Sequence, residues 1–316
     1  MTNTGVTYKG KLTTRPFGFR DKLGYMFGDF GNDFTFLLQA AFFMLFFTNV
    51  VGINPAHVGL LLFGARLIDG FTDVGMGVLV DRLPLKEGQY KFKRWIKYIA
   101  IPVAVASSLM YMSFVAGFES YGLKVTWMVA TYMLWGSICY TAINIPYGSM
   151  ASVISGDPHH RAQLSVYRST GATLANLIIM SVLPLIVYTK NAQGIAILSG
   201  PRMTAAAVGC SILAVICYAM CYWLVDERVP SEIKSKEEGG ESIGKMLVAV
   251  VTNKALLGLI VAALILLVTF MFLGGMLGYL FLNYFDNGAL QSPASMAGII
   301  PSLILIVVAP WIAKRF

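Results

Sequence analysis

Charge is scarce in this chain. Asp, Glu, Lys and Arg together make up 13% of its 316 residues, against about 25% in an ordinary soluble domain. Hydrophobic residues make up 57% and the mean hydropathy is +0.69. These values exclude a soluble globular domain and predict an all-α, polytopic membrane protein in a lipid bilayer. Histidine and cysteine are scarcer still, with three and four residues. Cys139, Cys210, Cys217 and Cys221 lie in apolar runs without a histidine at ligand spacing. A disulfide framework or metal cluster is therefore not expected, and the cysteines read as small apolar packing residues. No HExxH, P-loop, Ser/His/Asp set or paired Cys/His motif is present, so neither an enzyme nor a cofactor is expected. The net charge of +8 sits in short links between apolar runs, which argues against nucleic acid as a partner. Met1 to Lys22 is polar and basic and lacks the apolar core of a secretory signal.

A membrane span needs about 20 apolar residues. Eight candidates follow: roughly 24–50, 57–80, 95–117, 125–150, 165–189, 203–225, 255–282 and 293–313. The first, fourth and seventh are long enough to tilt or bend. Basic residues alternate in density between the links. Lys9, Lys11, Arg15, Arg20 and Lys22 precede the first span, and Arg82, Lys86, Lys91, Lys93, Arg94 and Lys97 join the second to the third. Arg161, then Arg228, Lys234, Lys236, Lys245 and Lys254, then Lys314 and Arg315 continue the same side, while the other side carries only Lys124, Lys190 and Arg202. This asymmetry predicts a cytoplasmic N-terminus in an inner or plasma membrane. Asp226 to Lys254 is the longest polar stretch and reads as a flexible cytoplasmic link. Ser242–Val251 within it reads equally as a short surface helix or as solvated linker. The chain divides into 1–225, a six-helix bundle; 226–254, the link; and 255–316, the start of a second bundle.

The second span carries Arg66, Asp69 and Asp73 within one apolar segment. Each such charge costs about 2.5–3.5 kcal/mol on insertion scales. Spacings of three and four place them on one helix face, turned to a polar cavity rather than to lipid. Carboxylates supply hard oxygen and compensating charge to a cation; a proton is the alternative occupant where like charges crowd each other. An internal ion pair with Arg66 is the competing structural role. Asp33 lies within the first span, where a carboxylate can accept from adjacent sugar hydroxyls; Asp29, closer to the cytoplasmic end, reads as interfacial or capping. Tyr140 and Asn144 share a face of the fourth span at i and i+4. Gln39 is a candidate cavity residue, Trp127 a membrane-belt residue, and His57, His159 and His160 read as solvated.

Six spans, a central loop and further spans is the layout of a major-facilitator-type transporter, with two spans after the loop where that layout has six. The expectation is that four more helices belong to the whole protein. Gly77-Val-Leu-Val-Asp81-Arg82 resembles the major-facilitator loop motif. Gly24 to Phe34 (GYMFGDFGNDF), Phe47 to Gly52 (FTNVVG), Arg66 to Asp73 (RLIDGFTD) and Tyr140 to Gly148 (YTAINIPYG), in that order, resemble the glycoside–pentoside–hexuronide:cation symporters, the family of melibiose permease. Tyr90 to Trp95 and Arg161 to Arg168 follow the same order.

The resemblance implies a cation site at Asp69, Thr72, Asp73 and Thr141, with sodium on Asp69 and Asp73 if sodium is the coupling ion. It implies a sugar site with Asp33, Tyr140, Asn144 and Arg168, and with Arg66 nearby. Arg168 has two further readings, a pair with Asp33 and snorkelling to the cytoplasmic surface. Two positions depart from melibiose permease: Asn144 replaces an Asp, and Gly148 replaces an aromatic that stacks on the sugar. Both argue against a melibiose-like galactoside and toward a roomier pocket or a different or acidic sugar. The expected function is symport of a glycoside or related sugar, pentosides and hexuronides included, coupled to Na⁺ or H⁺. The alternatives are a lysolipid or drug carrier of the same fold and a transport-inactive membrane sensor.

Overall fold

The computed structural model describes residues 10–85, 87–230 and 252–315. Helix α1 (Phe19–Asn49) is followed by α2 (Pro55–Arg82) and α3 (Lys93–Met110). Then α4 (Tyr121–Met133) runs through a π-helical segment, Leu134–Tyr140, directly into α5 (Thr141–Ile154). Likewise α6 (Pro158–Leu177) runs through Ile178–Val182 into α7 (Leu183–Val187). Helix α8 (Gly200–Leu224), α9 (Lys254–Tyr279, extended by Leu280–Tyr284) and α10 (Gln291–Arg315) complete the bundle. Among the described residues, six helical stretches are long and apolar enough to cross a membrane: Phe19–Asn49, Lys93–Gly117, Tyr121–Ile154, Pro158–Val187, Gly200–Leu224 and Lys254–Tyr284. Helix α2 has the length, at 28 residues, but carries the three charges.

Local chemistry fixes several helix starts. Asn54 and Asp157 each precede a proline, and each side chain accepts a backbone N–H two residues on, from Ala56 at 2.9 Å and His159 at 2.8 Å. An Asx N-cap followed by Pro at the first helical position satisfies orphan amides with little loss of freedom. Gly52, at φ +82°, makes the left-handed turn between α1 and α2 that a side chain would oppose. Between α7 and α8 a short hairpin pairs β1 (Tyr188–Lys190) with β2 (Ala196–Leu198), Tyr188 opposite Leu198. Sequence periodicity misses it because each strand has three residues.

Helix α1 is central, packing on α8, α6 and α9. Its glycines make this approach close. A Cβ at Gly24 would meet Leu224 at 2.6 Å, one at Gly28 would enter the Tyr147 ring, and one at Gly31 would stand 3.1 Å from the Ala214 carbonyl. Cys210, Cys217 and Cys221 are buried on α8, and Cys139 is buried in the π segment; all four are free thiols. The two last helices contact the preceding bundle through side chains. Thr48 Oγ1 and Tyr279 Oη lie 2.5 Å apart, and the Tyr188 hydroxyl donates to Gln291 at 3.0 Å.

The cytoplasmic end predicted from charge closes through two carboxylates. Asp21, 0% exposed, accepts from Arg15 at 2.6 Å and Arg228 at 2.8 Å. Glu227, also 0% exposed, accepts the backbone N–H groups of Lys91, Phe92 and Lys93 at 2.8, 2.8 and 2.9 Å, which caps α3. Lys93 Nζ bonds the Val225 carbonyl and lies 3.2 Å from Asp226. Burial still pushes the Glu227 carboxyl above its ordinary pKa, with the three N–H groups pulling the other way. The stretch expected to be a flexible link thus begins with three anchored residues, Asp226, Glu227 and Arg228. The expected surface helix at 242–251 lies outside the described residues.

Candidate functional site

Helix α2 and the π segment before α5 enclose a cavity of about 200 Å³ lined by Phe36, Arg66, Asp69, Asp73, Trp135, Gly136, Tyr140, Thr141 and Asn144. The π turn inserts one extra residue into the helix, a distortion common at functional sites. Thr141 Oγ1 lies 3.2 Å from the Gly136 carbonyl five residues back. Three of the lining residues, Trp135, Gly136 and Tyr140, belong to this turn.

The acidic pair is held differently at each member. Asp69 accepts from the Ser137 hydroxyl at 2.7 Å on one oxygen, and Arg66 Nη1 lies 3.4 Å from the other. Asp73 accepts from Thr141 at 2.8 Å, and its second oxygen has no hydrogen-bond partner among the described residues. Thr72 turns its hydroxyl back to the Asp69 carbonyl at 3.1 Å and does not line the cavity. Arg66 stands over the Phe36 ring, 6.0 Å from its centre. The expected Arg66 ion pair and the cavity-facing carboxylates coexist.

A second cluster lies between α1 and α6. Arg168 Nε donates to Asp29 at 2.8 Å and its guanidinium covers the Tyr147 ring at 5.5 Å. Asp29, expected at an interface or cap, is 6% exposed because this pair neutralises it inside the bundle. Arg168 therefore neither snorkels nor bonds Asp33. Asp33 is half-buried and has no hydrogen-bond partner among the described residues, so its carboxylate is available to a ligand.

Tyr140 and Asn144 join the cavity to α1, the helix that also carries Asp29 and Asp33. Tyr140 stacks on Phe36 at 5.7 Å and lies 5.2 Å from Trp135. The Tyr218 hydroxyl donates to Asn32 Oδ1 at 2.8 Å, and Asn32 Nδ2 donates to Asn144 Oδ1 at 3.3 Å. This orientation satisfies the buried phenol, a donor whose only acceptor among the described residues is Asn32. The Asn144 oxygen is thereby occupied and its two N–H donors remain. A Cβ at Gly148 would meet no atom within 4 Å, consistent with space where an aromatic would otherwise stand.

The remaining expected residues are placed as follows. Gln39 is buried and does not line the cavity. Trp127 donates to the Leu109 carbonyl at 3.1 Å and packs against Phe114 and Phe118. Two histidines have protein partners: His57 Nδ1 is 2.7 Å from the Tyr121 hydroxyl, and His160 stacks on Phe17 at 4.1 Å. Sequence reasoning missed Ser137, Asn32 and Tyr218. The available signal for Ser137 was its position one turn before Thr141, matching the step from Asp69 to Asp73.

Charged side chains gathered inside an apolar helical bundle, around a small polar cavity, are the mark of a multi-pass membrane protein with an internal polar site. The family model for MFS/sugar transport proteins matches residues 24–316, and the chain belongs to that family. It is 28% identical over 306 residues to the uncharacterized symporter YjmB of Bacillus subtilis (strain 168), covering 96% of this chain and 64% of that one. It is 28% identical to the isoprimeverose transporter of Lactiplantibacillus pentosus, over 93% of this chain and 59% of the other. It is 36% identical over 155 residues to the glucuronide carrier protein homolog of Escherichia coli (strain K12), covering 49% of this chain and 33% of that one. The chain thus spans less than two thirds of each of these relatives.

Proposed function

We propose that this chain provides one wall of the central site of a cation-coupled symporter for a glycoside or related sugar. The observation that carries the reading is the cavity in which Asp69, Asp73 and Thr141 face Tyr140 and Asn144. The carboxylates and Thr141 bind the coupling ion, Na⁺ or H⁺. Asp33 accepts from sugar hydroxyls, Asn144 donates, and Tyr140 offers an apolar face to the ring C–H groups. Arg168, held by Asp29, is a further donor to a sugar hydroxyl or carboxylate.

Cation binding then favours sugar binding through shared residues, and the coupling is reciprocal. Rocking of helix bundles about the site exposes it to either side of the membrane. The relatives' names, a symporter, an isoprimeverose transporter and a glucuronide carrier homolog, support a sugar or glycoside substrate and leave pentosides and hexuronides within the class. The setting is an inner or plasma membrane with a cytoplasmic N-terminus. In support, Arg15, Lys91, Lys93 and Arg228 converge at one end, whereas Lys124 bonds the Val51 carbonyl at the α1–α2 turn.

The test is binding of radiolabelled glycosides to the purified protein with and without Na⁺, for wild type and Asp73→Asn. The expected result is sugar binding strengthened by Na⁺ and insensitive to Na⁺ in the variant. Sugar binding that ignores both the ion and the substitution would refute coupling at this cavity.

A further inference from the structure

Two rungs join α2 to the segment that opens α5. Ser137 donates to Asp69 at 2.7 Å and Thr141 donates to Asp73 at 2.8 Å, each across 68 residues of sequence. A four-residue step on one helix meets a four-residue step on the other. The rung at Asp69 is contested. Arg66 lies one turn back on the same helix, its Nη1 3.4 Å from Asp69 Oδ2. Guanidinium and carboxylate groups favour the two-bond fork, and closing that fork draws the carboxylate along α2 and away from Asp73. Ser137 opposes this from the neighbouring helix. It is 6% exposed, and its other neighbour, Met133 Sδ at 3.8 Å, is a weak acceptor that competes little for the proton.

We propose that Ser137 is a positioning residue of the cation site: its hydroxyl holds Asp69 across from Asp73, so that both carboxylates and Thr141 share one alkali cation. The proposal rests on the cation-coupled reading above and adds to it a residue that does not line the cavity. Hard cations need several oxygens gathered at short range. A carboxylate that folds onto Arg66 removes one of them and leaves its partner's charge alone with the ion. Ser137 thus acts through Asp69.

The experiment is calorimetric titration of NaCl, and in parallel LiCl, into the purified full chain without sugar. The variants are Ser137→Ala, Ser137→Thr, Asp73→Asn and the double variant Ser137→Ala with Arg66→Gln. Loss of one hydrogen bond to a charged group raises half-saturating sodium about tenfold in Ser137→Ala, while Ser137→Thr, which keeps the hydroxyl, stays within about a factor of two. Removing the pull of Arg66 in the double variant recovers part of the lost affinity. A Ser137→Ala titration identical to wild type overturns the proposal and leaves the coupling reading standing. So does equal loss in the Ala and Thr variants, which would make volume rather than the hydroxyl responsible, or a double variant no better than Ser137→Ala. Absence of sodium and lithium binding in wild type overturns the proposal and leaves H⁺ as the ion of the coupling reading.

Discussion

The amide of Asn144 faces the cavity through a relay that starts at the Tyr218 phenol, two helices away from it. Tyr218→Phe removes the phenol that fixes which end of Asn32 faces Asn144. The expected effect is a loss of about 1 kcal/mol in glycoside binding, the net worth of one neutral hydrogen bond, with the sodium titration unchanged. Equilibrium binding of a radiolabelled glycoside at saturating sodium measures it. Residues of this kind set the limit of sequence reading. Asp69 and Asp73 are legible because charge inside an apolar run is expensive and must be explained. Ser137 and Asn32 are not, because short polar side chains occur throughout such helices at little penalty, and their partners lie 68 and 112 residues away. Asp29 was legible as a charge, but its partner was not: nothing in sequence distance separates it from Asp33 as the mate of Arg168.

At the scale of elements, the π segment Leu134–Tyr140 sets the rotation at which α5 meets α2. Deleting Leu134 returns the segment to regular α-helix and turns the residues on one side of the deletion by about 100° relative to the other. Trp135, Ser137 and Thr141 then lose register with the elements that hold them. Sodium titration of the deletion variant is expected to show no saturable binding, whereas a folded variant with wild-type affinity would show that the extra residue has no part in the site. The helix boundaries themselves were largely legible: every expected span corresponds to a helical stretch, and Asn54-Pro55 and Asp157-Pro158 announce two starts. The π turns were not, since one inserted residue barely alters hydrophobic periodicity. The hairpin at 188–198 was too short to register.

At the scale of the whole molecule, the closure around Asp21 and Glu227 makes a pH-dependent contribution with a definite sign. Burial raises the Glu227 carboxyl above its unfolded value, so the folded state holds the proton more tightly. The stability from this group is fully present below the unfolded carboxylate pKa and declines as pH rises through the folded value. Glu227→Gln cannot titrate there. The stability advantage of wild type over this variant is therefore largest in acid and narrows as pH rises, as followed by thermal melting in detergent from pH 4 to about 8. A gap that widens with pH would contradict the sign. The segment from Asp226 onward read as linker because polar composition alone does not reveal that Glu227 meets three backbone amides.

That closure also orders events in time. The amides at the start of α3 wait for a carboxylate 136 residues later in the chain at Lys91, and Asp21 waits for a guanidinium 207 residues later. A ribosome that has completed five spans has made every basic residue around Asp21 except Arg228, and none of the cap on α3. The helices before Arg228 therefore finish this face only when the chain has passed Arg228. Until then its earliest helices sit in the membrane as an unsealed bundle, the state in which quality-control proteases and insertion chaperones would meet it.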